Sequence, residues 1–199
     1  MRRLLSAGLA LLMLSACDKP NAPEVQTTWS KVEWDDAVRT FRFDGEQAEV
    51  IRIWDLARDP SGVEVLNALG GIRPGDGLAI YGTMPDPGLR TDGAVGVRGA
   101  EGGLLVVRLT RLKDAGPWDG SMFYSTAKHG ESARFTNRPL RTEPPRLGRT
   151  TILVYDMSAA PVGARDWRKS VIKRLRVDLD ANGGGEVVVH QIALVREPG

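Results

Sequence analysis

Residues 104–112 read Leu-Leu-Val-Val-Arg-Leu-Thr-Arg-Leu, and this stretch decides the fold. Its second half alternates: Val107 and Leu109 share one face, with Arg111 next in phase, while Arg108 and Thr110 share the other. A period of two in a run rich in Val and Leu describes a β-strand with at least one buried face. Shorter runs of the same kind lie on both sides of it, at residues 38–43, 50–54 and 78–81, then at 121–126, 150–156, 172–179 and 186–195.

Turn chemistry separates these runs. Arg73-Pro74-Gly75-Asp76-Gly77 and Met84-Pro85-Asp86-Pro87-Gly88 combine a fixed φ at proline with the positive φ open to glycine. Gly70-Gly71 and Gly183-Gly184-Gly185 have no strand-to-helix setting that would make them a phosphate cradle, so they are taken as turns. The stretch 180–185 joins two strong strands and is expected to be a hairpin loop. Only residues 55–69 could carry a helical stripe, and they fit strand and loop equally well. Roughly ten short strands, punctuated by 23 glycines and 12 prolines, predict an all-β chain folded as an antiparallel sandwich.

The N-terminus has a different character. Arg2 and Arg3 precede an apolar run over residues 4–14, and Leu14-Ser15-Ala16-Cys17 follows. The run has the length of a signal-peptide core and falls short of the roughly twenty residues that span a bilayer. This arrangement resembles the lipobox of bacterial lipoproteins, which implies cleavage before Cys17 and acylation of its thiol. The resemblance divides the chain into a signal peptide (1–16), a lipidated N-terminus with a flexible tether (17–30) and a β-sandwich domain (31–199). Cys17 is the only cysteine, so the domain has no disulfide and depends on its core. Asp18, next to Cys17, resembles the signal that retains lipoproteins in the inner membrane. The expected location is therefore the periplasmic face of that membrane, with the outer membrane as the alternative.

The C-terminal half carries a second resemblance. The segment 118–130 (WDGSMFYSTAKHG) is followed by 152–157 (ILVYDM), Trp167, Leu175-Arg176-Val177-Asp178 and 185–194 (GEVVVHQIAL). That order is similar to the β-jelly-roll domains of the galactose-binding-like and carbohydrate-binding-module group. It implies a jelly roll that binds saccharide.

Charge excludes one class of partner. The chain has 27 Lys and Arg against 25 Asp and Glu, and removal of Arg2 and Arg3 leaves 25 against 25. Basic residues are scattered among acidic ones, so nucleic acid is not an expected partner. The candidate ligand residues are Trp118, Trp167, Arg165 and Arg176. An indole packs against the apolar C–H face of a sugar while neighbouring polar groups serve its hydroxyls, and Trp167 has Arg165, Asp166, Arg168 and Lys169 beside it. Either indole can equally close one end of the core. Arg108, Arg111, Arg174, Arg176 and Arg196 recur in strands, where they either bind acidic sugars by bidentate contacts or form solvated faces.

Other chemistry finds little support. His129 and His190 are the only histidines and have no zinc-ligand spacing. Asp178 and Asp180 could give oxygen ligands to a structural calcium, or sit at a solvated turn; no other cofactor is expected. No Gly-x-Ser-x-Gly, P-loop or His-Glu-x-x-His motif occurs, so the protein is not expected to be an enzyme. The expected function is a membrane-anchored envelope lipoprotein that binds saccharide, with exported or cell-surface polysaccharide as the ligand. The alternatives are a scaffold that contacts another envelope protein and a glycoside hydrolase of the lectin-like sandwich type. Replacement of Cys17 by Ser removes the atom that carries the lipid. The variant should leave the membrane fraction after carbonate washing, or accumulate uncleaved, and membrane retention equal to wild type would sink the lipobox assignment.

Overall fold

The computed structural model describes residues 31–93 and 95–196. Residues 1–30, on which the signal-peptide, Cys17 lipidation and tether expectations fall, lie outside the described residues. The chain opens with β1 (Val32–Asp35), β2 (Thr40–Phe43), β3 (Glu46–Gln47) and β4 (Val50–Asp55). It continues through β5 (Val63–Leu66), β6 (Ala68–Arg73), β7 (Gly77–Gly82), β8 (Gly88–Thr91) and β9 (Val97–Arg98). Next come β10 (Leu104–Lys113), β11 (Met122–Ser125), β12 (Thr136–Asn137) and β13 (Thr150–Asp156). The described chain ends with α1 (Ala164–Lys169), β14 (Val171–Ile172), β15 (Arg174–Asp178) and β16 (Glu186–Val195).

Two sheets face each other. One has the order β13-β10-β16-β7-β6, with β4 also on β16, and the other has the order β12-β11-β15-β8-β5. From β7 onward the main strands alternate between the sheets, as in a jelly roll, and every pairing is antiparallel. The main core between the sheets contains Leu105, Val107 and Leu109 of β10, Met122 and Tyr124 of β11, Leu175 and Val177 of β15, and Val187, Val189, Ile192 and Leu194 of β16. The hydrophobic run that decides the fold is thus an interior strand of one wall. The outer side of that wall is buried too. Leu104, Val106, Ala193 and Val195 form a second core with Phe41, Phe43 and Ala48 of the small β1-β2-β3 sheet.

Two sequence expectations are corrected, and one open reading is decided in favour of strand and loop. Residues 180–185 are not a hairpin loop, because β15 and β16 belong to different sheets; the loop is a corner that carries the chain across the sandwich. Gly70 and Gly71 are not a turn but lie inside the edge strand β6. They keep side chains off two neighbours, since a Cβ would come 3.0 Å from Val65 at Gly70 and 3.2 Å from the Tyr81 ring at Gly71. Residues 55–69 form no helix. The one helix among the described residues is α1, six residues around Trp167.

β16 changes phase midway. Arg108 faces Gln191 but Leu109 faces Val189, so His190 is an extra residue in a β-bulge. The bulge turns His190 and Gln191 away from the main core, and Ile192 and Leu194 then resume the inward face. Gly77 has no room for a side chain, because it lies against the Val189 carbonyl at this point. His190 is buried with both ring nitrogens served: Nδ1–H donates to the Asp76 carbonyl at 2.7 Å, and Nε2 accepts from the Thr110 hydroxyl at 2.8 Å. The Thr110 oxygen in turn lies 2.9 Å from the Thr150 hydroxyl.

This is a neutral imidazole, and burial pushes its pKa below the usual value of 6.5. The unfolded chain then binds the proton more readily than the folded one. The histidine's contribution to stability is complete above about pH 6.5 and is lost as pH falls through the depressed folded value. Urea unfolding of wild type and His190→Gln across pH 4.5–8 follows it, because every carboxylate except Asp76, whose Oδ1 lies 3.1 Å from Nδ1, cancels in the difference. The stability advantage of wild type should shrink below about pH 6.5, and a constant difference would contradict the neutral assignment.

A candidate acidic-ligand pocket

One end of the sandwich is closed by α1. Its anchor is Trp167, wholly buried, whose indole N–H donates to the Gly102 carbonyl at 3.1 Å. The indole meets the Tyr124 ring edge-on, with centroids 5.0 Å apart and planes at 90°. Gly163, just before the helix, takes φ +98°, and a Cβ there would come 2.9 Å from the Tyr124 hydroxyl. Only glycine lets the helix start so close to the sheet.

With Trp167 directed inward, the helix turns Arg165 and Lys169 outward. They share a pocket of about 380 Å³ with Lys128 and Arg134 from the loop between β11 and β12, over Phe135 and Val162. All four basic side chains are exposed, and none has an ion-pair partner among the described residues. Arg134 lies 5.9 Å over the Phe135 ring, a cation–π contact that orients the guanidinium.

The pocket wall is tied together by hydrogen bonds and ring contacts. The His129 ring stacks on Phe135 at 3.4 Å with an interplanar angle of 14°. His129 Nε2–H donates to Asp166 Oδ2 at 2.9 Å. The Tyr124 hydroxyl shares its one hydrogen between the Gly163 carbonyl at 3.0 Å and the same Asp166 oxygen at 3.3 Å. Burial, with the nearby Asp166 charge, raises the Tyr124 phenol well above its usual range, so it remains a donor. Asp166 is the only carboxylate in the pocket lining and is held from two sides.

The structure distributes the four sequence candidates widely. Trp167 has no face open to a ligand and acts as the core plug that holds α1. Arg165 lies in the pocket. Trp118 is half-buried at the margin of the main core with Arg111 over its ring, the guanidinium carbon 5.5 Å from the centroid. Arg176 lies across the outer face of β15, bidentate to Asp178 at 2.6 and 2.9 Å and 5.3 Å over the Phe123 ring. Neither Trp118 nor Arg176 lines the pocket.

The other strand arginines are spent in different places. Arg111 is almost wholly buried and bonded to Asp180, and Arg196 pairs with Glu49 at 3.2 Å. Asp178 and Asp180 are each committed to a guanidinium instead of sharing a cation. Burial pushes the Asp178 carboxyl up to about 6 against the pull of Arg176, and it raises Asp180 as well. Lys128, Arg134 and Phe135 were missed in the sequence, whereas Lys169 stands there among the polar neighbours of Trp167. The available signals were Arg134 directly before Phe135, and the basic residues on both sides of Trp167.

No protein-family model and no curated protein matches the chain. Trp167→Ala should lower stability by about 3–5 kcal/mol, as expected when a buried indole leaves a cavity. Denaturant titration checks this, and a loss within about 1 kcal/mol would contradict its role as the helix anchor.

Proposed function

We propose that this protein is a lipid-anchored envelope lipoprotein whose jelly-roll domain binds an acidic saccharide, without turnover, in the pocket beside α1. The observation that carries the reading is the convergence of Lys128, Arg134, Arg165 and Lys169 over Phe135 and Val162. A sugar carboxylate or phosphate would take charge-assisted hydrogen bonds from the two guanidiniums and two ammoniums. The apolar C–H surface of the ring would lie on Phe135 and Val162. A cavity of about 380 Å³ is in the size range of small-ligand sites. Glycoside hydrolysis ordinarily needs two facing carboxyl groups, and the lining residues include one, already held by His129 and Tyr124.

The lipobox at residues 14–17 supports anchoring at Cys17, and Asp18 supports the periplasmic face of the inner membrane. No helix among the described residues is long and apolar enough to cross a membrane. A second reading, a scaffold that contacts another envelope protein, is favoured by one feature. Leu69, Ile72 and Met84 stand 65%, 65% and 56% exposed on and beside the edge strand β6.

The test is calorimetric titration of detergent-solubilised protein with an oligouronate and with its neutral counterpart. Only the acidic sugar should bind, and more weakly as salt rises. Arg165→Gln with Lys169→Gln should cut affinity about tenfold or more while leaving unfolding unchanged, since both side chains are exposed. Equal affinity for the two sugars, or an unaffected double variant, would remove this site from the proposal.

A further inference from the structure

We infer that the loop at residues 141–149 rests on the anionic headgroups of the membrane that holds the protein's own lipid. The inference depends on the anchoring at Cys17 proposed above. The loop reads Arg-Thr-Glu-Pro-Pro-Arg-Leu-Gly-Arg. Arg141, Arg146 and Arg149 are all exposed, and none has an ion-pair partner among the described residues. Leu147 stands between two of them, 53% exposed. A single acid, Glu143, lies in the same loop.

The tip is held in position. Gly148 N–H donates to the Arg111 carbonyl of β10 at 2.8 Å, and Arg149 N–H donates to the Arg146 carbonyl at 3.2 Å. Gly148 takes a left-handed φ of +69° that lets the chain turn back. Pro145 is buried at the base of the loop. The fixed turn presents cation, apolar side chain and cation in succession, a combination that suits a lipid interface. Arginines meet phosphates there, and a leucine enters the boundary with the acyl chains.

The position of the tether makes the membrane the occupant. A groove of about 540 Å³ runs along β13, and its lining joins Lys31 and Val32 to Arg141, Arg146 and Arg149. Lys31 pairs with Glu33 at 2.5 Å, so the arginines carry the net charge. Thirteen residues, 18–30, separate Cys17 from Lys31. Even fully extended, at about 3.5 Å for each of the fourteen steps from Cys17 to Lys31, the chain spans no more than about 50 Å. The lipid therefore tethers the domain to the bilayer by its Lys31 end, and the arginine loop is at that end. An anionic surface attracts each basic side chain brought within about a Debye length, roughly 10 Å.

The experiment uses the full lipidated chain with Leu147→Cys, labelled there with an environment-sensitive dye; acylated Cys17 does not react. The protein is reconstituted into phosphatidylcholine vesicles with and without phosphatidylglycerol, and peptide mass reports the lipid on Cys17. With phosphatidylglycerol, the dye emission should shift to the blue and brominated lipid should quench it. Arg141→Gln, Arg146→Gln and Arg149→Gln should each weaken that contact about fivefold, and raised salt should weaken it further. Emission that is the same in both vesicles, with lipid present on Cys17, would overturn the loop contact and leave the anchoring reading intact. Protection that grows with protein concentration and ignores lipid charge would also overturn it, assigning the face to a second copy. An unmodified Cys17 would overturn the anchoring reading, and this inference with it.

Discussion

The double burial of β16 is the constraint on which the rest of the structure depends. This strand pairs with β10 along one edge and with β7 and then β4 along the other, and residues 187–195 are all buried. A strand with no free edge and no wet face cannot use simple alternation of polar and apolar residues. Val187, Val189, Ile192 and Leu194 fill the space between the two sheets, while Ala193 and Val195 need a second cover. The β1-β2-β3 sheet supplies it with Phe41 and Phe43. The first strands of the domain are thus a lid on the outer wall, and they bring Lys31 to the rim beside β13. The bulge at His190 follows from the same constraint. If His190 stayed in regular alternation instead of being absorbed in the bulge, the side chains after Val189 would fall on the wrong faces.

The pocket depends on a smaller version of that logic at the end of the sandwich. A six-residue helix has little intrinsic stability, so α1 persists because Trp167 is driven into the core beneath it. Trp167 and Tyr124 meet inside, and Tyr124 extends its hydroxyl through the wall to Asp166. Asp166 then holds His129, and His129 stacks on Phe135. One buried indole is thereby linked through four contacts to the floor of an exposed basic pocket. An aromatic that touches no ligand can still position the cations that would.

This explains what was legible in the sequence. The strands at 150–156 and 186–195 were read to the residue, because long apolar runs with clear turn borders leave little freedom. The 180–185 loop was misread because glycine-rich turns look alike whether the strands they join pair or face each other across a core. Gly70 and Gly71 were misread for a related reason: a glycine that makes room for Tyr81 or Val65 leaves no local trace. Within the segment around Trp167, composition marked the right place but not the direction of each side chain. A helix sends Trp167 and Arg165 to opposite sides, whereas a strand would have placed them on one face. The contributions of Lys128 and Arg134 come from a loop some thirty residues away, and nothing in the sequence ties that loop to α1.

The near-neutral charge also takes on a different meaning once positions are known. Many acids are consumed in ion pairs with arginines: Asp55 by Arg39, Asp178 by Arg176, Asp180 by Arg111, and Glu131 by Arg90. Such pairs cancel locally and contribute little to the field at a distance. The cations on α1, on the β11–β12 loop and at 141–149 have no such partners among the described residues. They form two basic surfaces on a chain whose formal charge is close to zero. Net charge counts the pairs and the free groups alike, whereas an approaching anion responds only to what stays unpaired at the surface it meets. An acidic sugar and an anionic bilayer would engage different surfaces, because the two cation clusters line separate cavities with no residue in common.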